Sequence, residues 1–140
     1  MIDKNVILDK ASRIERHLKR IENKRSISLD EFLNDIDRQD ILLFNLQVAI
    51  QNCIDMASHI ISDQNMGIAG STSEIFYLLQ ENNFISAELT GKIIGAVGLR
   101  NLLVHEYGHL DLKKVYDTIR KDINDLREFV ATVIKKCGLG

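Results

Sequence analysis

A chain of 140 residues, 45 % apolar and 27 % charged, holds enough apolar material for one buried core and too little for two, and it is too apolar for a disordered tail. Its formal net charge of −2 excludes a protein that coats nucleic acid through overall charge, while leaving room for a local basic site. Two cysteines, Cys53 and Cys137, stand in no CxxC-like cluster; they exclude a disulfide scaffold and read as reduced thiols.

Proline is absent, which permits long helices free of the roughly 3 kcal/mol that an interior proline costs. The start, Met1-Ile2-Asp3-Lys4-Asn5, leads into no apolar core of signal-peptide length. No stretch approaches the ~18 apolar residues of a membrane span. The expectation is a single cytoplasmic domain over residues 1–140 with no membrane association.

The first helix is expected from Asp3 to Lys24, because Ile7, Ala11, Ile14, Leu18 and Ile21 recur at steps of four and three and so form one apolar stripe. The stretch from Lys10 to Arg25 sets seven cations against Glu15 and Glu22, a basic cluster that reads as a solvated face or a binding surface. A short turn or helix over Leu29 to Asn34 leads to a second long helix, Arg38 to Asp63. There Leu42, Leu46, Ala49, Cys53, Met56 and Ile60 make the stripe, and Asn45, Asn52, Asp55 and His59 a separate polar row. That row is either plain surface or the lining of a cleft or interface.

Two glycines mark a loop over Asn65 to Ser71. Ser71 and Glu74 have capping-box spacing, which predicts a helix over Thr72 to Glu81. A further helix starts near Ser86 and carries Leu89, Ile93, Ala96 and Leu103. Gly91, Gly95 and Gly98 align along it; each costs a helix about 1 kcal/mol relative to alanine, so their alignment suggests close packing against a neighbouring helix, the alternative being chance alignment in a weak helix. Asp111 is placed to cap a last helix that ends at Gly138. No segment alternates as a strand does. The fold class is therefore all-α, an antiparallel up-and-down bundle of four to five helices. Helices of this length tend to leave apolar surface uncovered, which makes a dimer the default expectation.

The chemistry concentrates in Leu99-Arg100-Asn101-Leu102-Leu103-Val104-His105-Glu106-Tyr107-Gly108-His109. Read literally, His105-Glu106-Tyr107-Gly108-His109 is an HExxH string, the zinc-peptidase signature. Against that, Gly108 and His109 run straight into the Asp111 cap, which places His109 in a link and not on one helix with His105. Arg100 with His105 offers different chemistry: imidazole exchanges protons near neutral pH, and guanidinium grips a phosphate with a fixed fork of donors. In principle these suffice for RNA cleavage without a metal. Five positions are about 140° on a helix, so the two converge only if the helix ends near His105 or if two copies meet. A capping histidine and a salt-bridged arginine remain the plainer alternative.

The octapeptide Arg100-Asn101-Leu102-Leu103-Val104-His105-Glu106-Tyr107 resembles the RX4HXY motif of the HepT-like ribonucleases, a family of the HEPN superfamily. The likeness covers essentially the whole chain, including Arg38-Gln39-Asp40, the run Leu46 to Gln51 and the segment Leu78-Leu79 to Phe84-Ile85. It implies a HEPN-like helical bundle that forms a homodimer, with the motifs of both protomers facing a shared, positively charged cleft. The implied activity is that of an endoribonuclease toxin of a type VII toxin–antitoxin pair, cleaving cellular RNA with neither metal nor cofactor. The implied partner is an MntA-like minimal nucleotidyltransferase, the antitoxin, which transfers AMP to the motif tyrosine. Carried over residue by residue, Arg100 would hold the scissile phosphate, His105 would be general acid or base, Asn101 would orient the site, and Tyr107 would be the modification target. A competing reading of another class is a non-catalytic subunit that binds substrate for, or docks, a nucleotidyltransferase. Asp40 and Asp55 read as structural partners of helix ends or of Arg100.

Overall fold

Asp3 accepts hydrogen bonds from the backbone N–H groups of Asn5 and Val6 and so opens helix α1, Lys4–Lys24, in the computed structural model, which describes residues 1–140. Each later helix begins on a side-chain cap of the same kind, satisfying backbone donors that would otherwise lack a partner. Ser28 caps α2 (Leu29–Asn34), Asp35 caps α3 (Ile36–Asp63), and Ser71 caps α4 (Thr72–Glu81). Ser86 caps α5 (Ala87–His105) and Asp111 caps α6 (Leu112–Lys136). Glu74 completes the start of α4 from the other side, accepting from the Gly70 N–H at 2.7 Å. At the far end Gly138, at φ +71°, turns the chain out of α6, the left-handed exit that glycine makes without penalty.

Six α-helices result, two more than the lower expectation of four and one more than the upper. The extra one is α2: its two turns are held by Ser28 in front, by the buried Phe32, and by Gln39, which donates to the Phe32 and Leu33 carbonyls at 2.8 and 3.2 Å. Asp35 also starts α3 two residues ahead of Arg38.

The helices form an all-α bundle around α3. Helix α1 lies along α3; α4 and α5 pack on α3 and on each other; α6 closes the bundle against α5, α1 and α2. The principal core draws on all six helices, with Ile14, Leu46, Met56, Phe76, Ile93 and Phe129 fully or almost fully buried in it. Phe76 meets Phe129 edge to face at 5.6 Å, a geometry that aromatic quadrupoles favour. By length and composition α3 is apolar enough to cross a membrane, against the expectation that no stretch approaches a span. In this fold 61 % of its most apolar window is buried inside the bundle, where it forms the central strut.

In the polar row on α3, Asn45 and Asp55 meet α1, Asn52 bonds within its own helix, and His59 is exposed. Asn45 and Asn52 are buried; their amide groups donate to the Ile41 and Val48 carbonyls, and Asn45 Oδ1 meets His17 Nδ1 at 2.8 Å. Asp55 accepts from Gln51 and lies 3.7 Å from Lys10. The basic cluster on α1 is remote from the Arg100–His105 segment, since α1 makes no contact with α5.

Arg127 ties α6 to α1. Its guanidinium donates to both carboxylate oxygens of Glu15 (3.2 and 2.8 Å) and of Glu22 (2.8 and 2.6 Å). That pairing holds the Glu22 carboxyl below its ordinary pKa. A carboxylate held this way stabilises the fold above its unfolded pKa and stops doing so as pH falls through the depressed folded value. Arg127→Met should therefore cost about 1–2 kcal/mol at neutral pH, discounted for partial exposure. The loss should shrink in denaturant titrations at acid pH; an equal loss at both would show that packing, not charge, is responsible.

Candidate active site

Arg100, Asn101 and His105 all lie in the last turns of α5, and Tyr107 lies in the 3₁₀ turn Tyr107–His109 that follows. What ends the helix is Glu106: its backbone (φ −136°, ψ 38°) leaves the helical region while its N–H still bonds to the Leu102 carbonyl at 2.9 Å. The turn is set against the bundle by a small apolar cluster separate from the main core, in which Leu103 packs with Leu43 and Val115 and is backed by Leu99, Leu110 and Leu112. One side chain of the motif is thus an anchor, and its neighbours are carried at the surface.

His105 is exposed. Arg100 is half-buried; its Nη1 donates to Asn101 Oδ1 at 3.2 Å, and its Nε is buried with no hydrogen-bond partner. A buried guanidinium donor without an acceptor is costly, on the order of 1–3 kcal/mol, and marks a place where an anionic oxygen would be welcome. Asn101 touches Arg100, but neither makes a hydrogen bond to His105.

Tyr107 sits apart from these three. Its hydroxyl donates to Asp40 Oδ1 of α3 at 2.8 Å. Burial, then this hydrogen bond and the charge of Asp40, push the phenol pKa up to about 12. Asp40 had been expected to serve a helix end or Arg100; it serves Tyr107. Nothing in local sequence could have found this pair, because 67 positions separate the partners.

The HExxH reading fails on geometry. It requires two histidines one turn apart on a continuous α-helix, whereas α5 stops at His105 and His109 closes a 3₁₀ turn. Nowhere do three or more His, Cys, Asp or Glu side chains gather as a metal site would require.

The glycines of α5 are uncovered. Gly91, Gly95 and Gly98 are exposed, and a Cβ added at any of them would meet nothing within 4 Å. The neighbouring helix expected over them is not supplied by this chain. Beside them a groove of about 540 Å³ runs between α5 and α6, past Gly95, Gly98, Leu102, His109, Lys114 and Asp122. Asp122 is buried with its Oδ2 unpartnered. Burial foremost, with the neighbouring Asp125 adding to it, raises its pKa to about 6.

A carboxyl whose folded pKa is raised favours folding most at acid pH and loses that contribution as pH climbs through the ordinary aspartate range toward 6. Asp122→Asn should therefore raise the melting midpoint at pH 7.5 by ~3–8 °C, corresponding to about 1–2 kcal/mol. The gain should be much smaller at pH 4. Equal midpoints for both proteins at pH 7.5 would show that the carboxylate is solvated.

Residues 14–133 match the family model described as Ribonuclease HepT-like. The mRNA nuclease HepT of Shewanella oneidensis is 34 % identical over 129 residues, covering 92 % of this chain and 96 % of that protein. The tRNA nuclease HepT of Aphanizomenon flos-aquae is 38 % identical over 103 residues, 74 % of this chain and 68 % of that protein. Among solved structures, the tri-AMPylated Shewanella oneidensis HEPN toxin in complex with its MNT antitoxin superposes with a TM-score of 0.86 at 34 % identity, covering 95 % of this chain and 98 % of that one. Fold and likeness together define the class, an all-helical bundle of the HEPN type. Within that class the chain belongs to the HepT-like ribonuclease family.

Proposed function

We propose that this protein is a metal-independent endoribonuclease, the toxin of a toxin–antitoxin pair, in which Arg100 and His105 carry the chemistry. The observation that supports this most is the contrast at the end of α5: a dedicated apolar anchor fixes the motif, yet His105 is open to solvent and the Arg100 Nε is left without an acceptor.

In the reaction, a ribose 2′-oxygen attacks the adjacent phosphorus and the P–O5′ bond breaks, leaving a 2′,3′-cyclic phosphate and a 5′-hydroxyl. His105 exchanges the proton that leaves the 2′-hydroxyl or the one that the 5′-oxygen gains. Arg100 holds the phosphorane charge with its planar fork, and Asn101 fixes one arm of that fork. No step calls for a metal.

The working unit is a homodimer in the cytoplasm. On one helix Arg100 and His105 point about 140° apart, so one copy does not present both to a single phosphate. Gly91, Gly95, Gly98, Leu102 and His105, all exposed, follow one another at steps of four, three, four and three, the seam spacing of helices packed side by side. Two copies meeting along this seam bring both motif ends to one cleft. The partner in the pair is an MntA-like nucleotidyltransferase antitoxin, and Tyr107 is the residue it modifies. An AMP there adds bulk and a phosphodiester charge two positions from His105, where an anionic substrate must enter.

The deciding experiment is cleavage of total RNA in EDTA by the purified dimer, its intact mass first shown to be free of AMP, beside His105→Ala. Cleavage confined to the wild type supports the proposal. Negligible cleavage by both across several RNA pools would favour a non-catalytic docking subunit, and equal cleavage by both would remove His105 from the chemistry.

A further inference from the structure

The Tyr107–Asp40 pair is a reactive arrangement that RNA cleavage does not use. Tyr107 is 46 % exposed, so the residue lies open to a partner enzyme at the surface. Its hydroxyl donates to Asp40 Oδ1 at 2.8 Å, and the charge of Asp40 acts on it directly. Helix α3 is open on either side of Asp40, at Ile36 and Phe44, which are 69 % and 59 % exposed. Asp40 is itself exposed, so its carboxylate is held at the surface beside the Tyr107 hydroxyl.

A neutral phenol is a weak nucleophile, and with its pKa near 12 only about one hydroxyl in 10⁵ is ionised at neutral pH. Phosphoryl transfer to such a group needs a base within hydrogen-bonding reach, and geometry is the first criterion for that base.

We infer that Asp40 is the general base for nucleotidylation of Tyr107, supplied by the modified protein itself. The inference rests on the reading of Tyr107 as the target. In the step, Tyr107 Oη forms a bond to the α-phosphorus of a nucleoside triphosphate held by the nucleotidyltransferase. The bond from that phosphorus to the bridging oxygen breaks, and pyrophosphate leaves. The phenolic proton passes to Asp40 Oδ1 and from there to water.

The test uses full-length wild type, Asp40→Asn and Asp40→Glu with the antitoxin, ATP and magnesium, read by intact mass and by peptide mapping of Tyr107. Asparagine keeps an oxygen at the same place but accepts no proton. Asp40→Asn should take up AMP about 10²–10⁴-fold more slowly at neutral pH. Its rate should climb about tenfold per pH unit as hydroxide takes over, against a wild-type rate that is flat over the same range, and Asp40→Glu should recover part of the loss. RNA cleavage and the melting midpoint of Asp40→Asn should stay close to wild type. Wild-type rate and pH dependence in Asp40→Asn would overturn the role of Asp40 alone. So would loss of RNA cleavage together with transfer, since that means Asp40 merely orders the turn. Wild-type protein that takes AMP somewhere other than Tyr107 would overturn the target reading, and this inference with it.

Discussion

RNA cleavage should fall by about 10²–10⁴-fold in His105→Ala, the range that removal of a positioned acid or base produces. The melting midpoint should change by no more than a few degrees, because His105 is exposed and makes no hydrogen bond through its side chain. Arg100 should behave differently. Arg100→Ala should cost about 10²–10³-fold, as loss of a transition-state donor does, and Arg100→Lys should recover little of it. A lysine restores the charge, but neither the fork that Asn101 holds at 3.2 Å nor the inward-facing Nε. Single-turnover cleavage of one RNA by all three variants is the measurement. Full recovery in Arg100→Lys would reduce Arg100 to a point charge, and an unaltered rate in His105→Ala would remove the acid–base role.

Helix positions were legible in the sequence where local chemistry decides them. Ser71, Ser86 and Asp111 each cap the helix they were expected to begin, and the α1 stripe faces the core, with Ile7, Ile14, Leu18 and Ile21 buried and Ala11 partly so. Periodicity and capping act over one turn, so a single sequence displays them. The resemblance at Arg100 to Tyr107 led to the same family as the comparison with known proteins. What local pattern could not display was partnership across the fold. The polar row of α3 has the composition of a cleft lining, yet its Asn45 and Asp55 meet His17 and Lys10 of α1, and only the pairing of helices decides between the two. Asp40 and Tyr107 meet because Leu103, Leu43 and Val115 draw the end of α5 onto α3 and α6. Asp122 gave no sign of its burial either, since an aspartate on a long amphipathic helix reads as surface.

The glycines of α5 give the second large effect. Inside one chain they are open, with nothing within 4 Å of a Cβ at Gly98, and helix propensity alone makes Gly98→Ala stabilising by about 1 kcal/mol. Gly98 is exposed, so a larger side chain can extend into solvent within one chain, and Gly98→Leu should fold normally by circular dichroism. If two α5 helices approach each other along Gly91, Gly95, Gly98, Leu102 and His105, that same leucine forces their backbones apart at the centre of the seam. Gly98→Leu should then run as a monomer in analytical ultracentrifugation. Its RNA cleavage should fall by about 10²-fold, the penalty for displacing reacting groups by an ångström or so. Glycine is the residue that a solvent-facing helix has least reason to keep, because it weakens the helix and packs nothing. Three of them on one open face, in register with an exposed leucine and His105, would be accounted for by the close approach of a second α5 in the proposed dimer. A Gly98→Leu protein that remains dimeric and fully active would put the interface elsewhere and leave the three glycines without a structural reason.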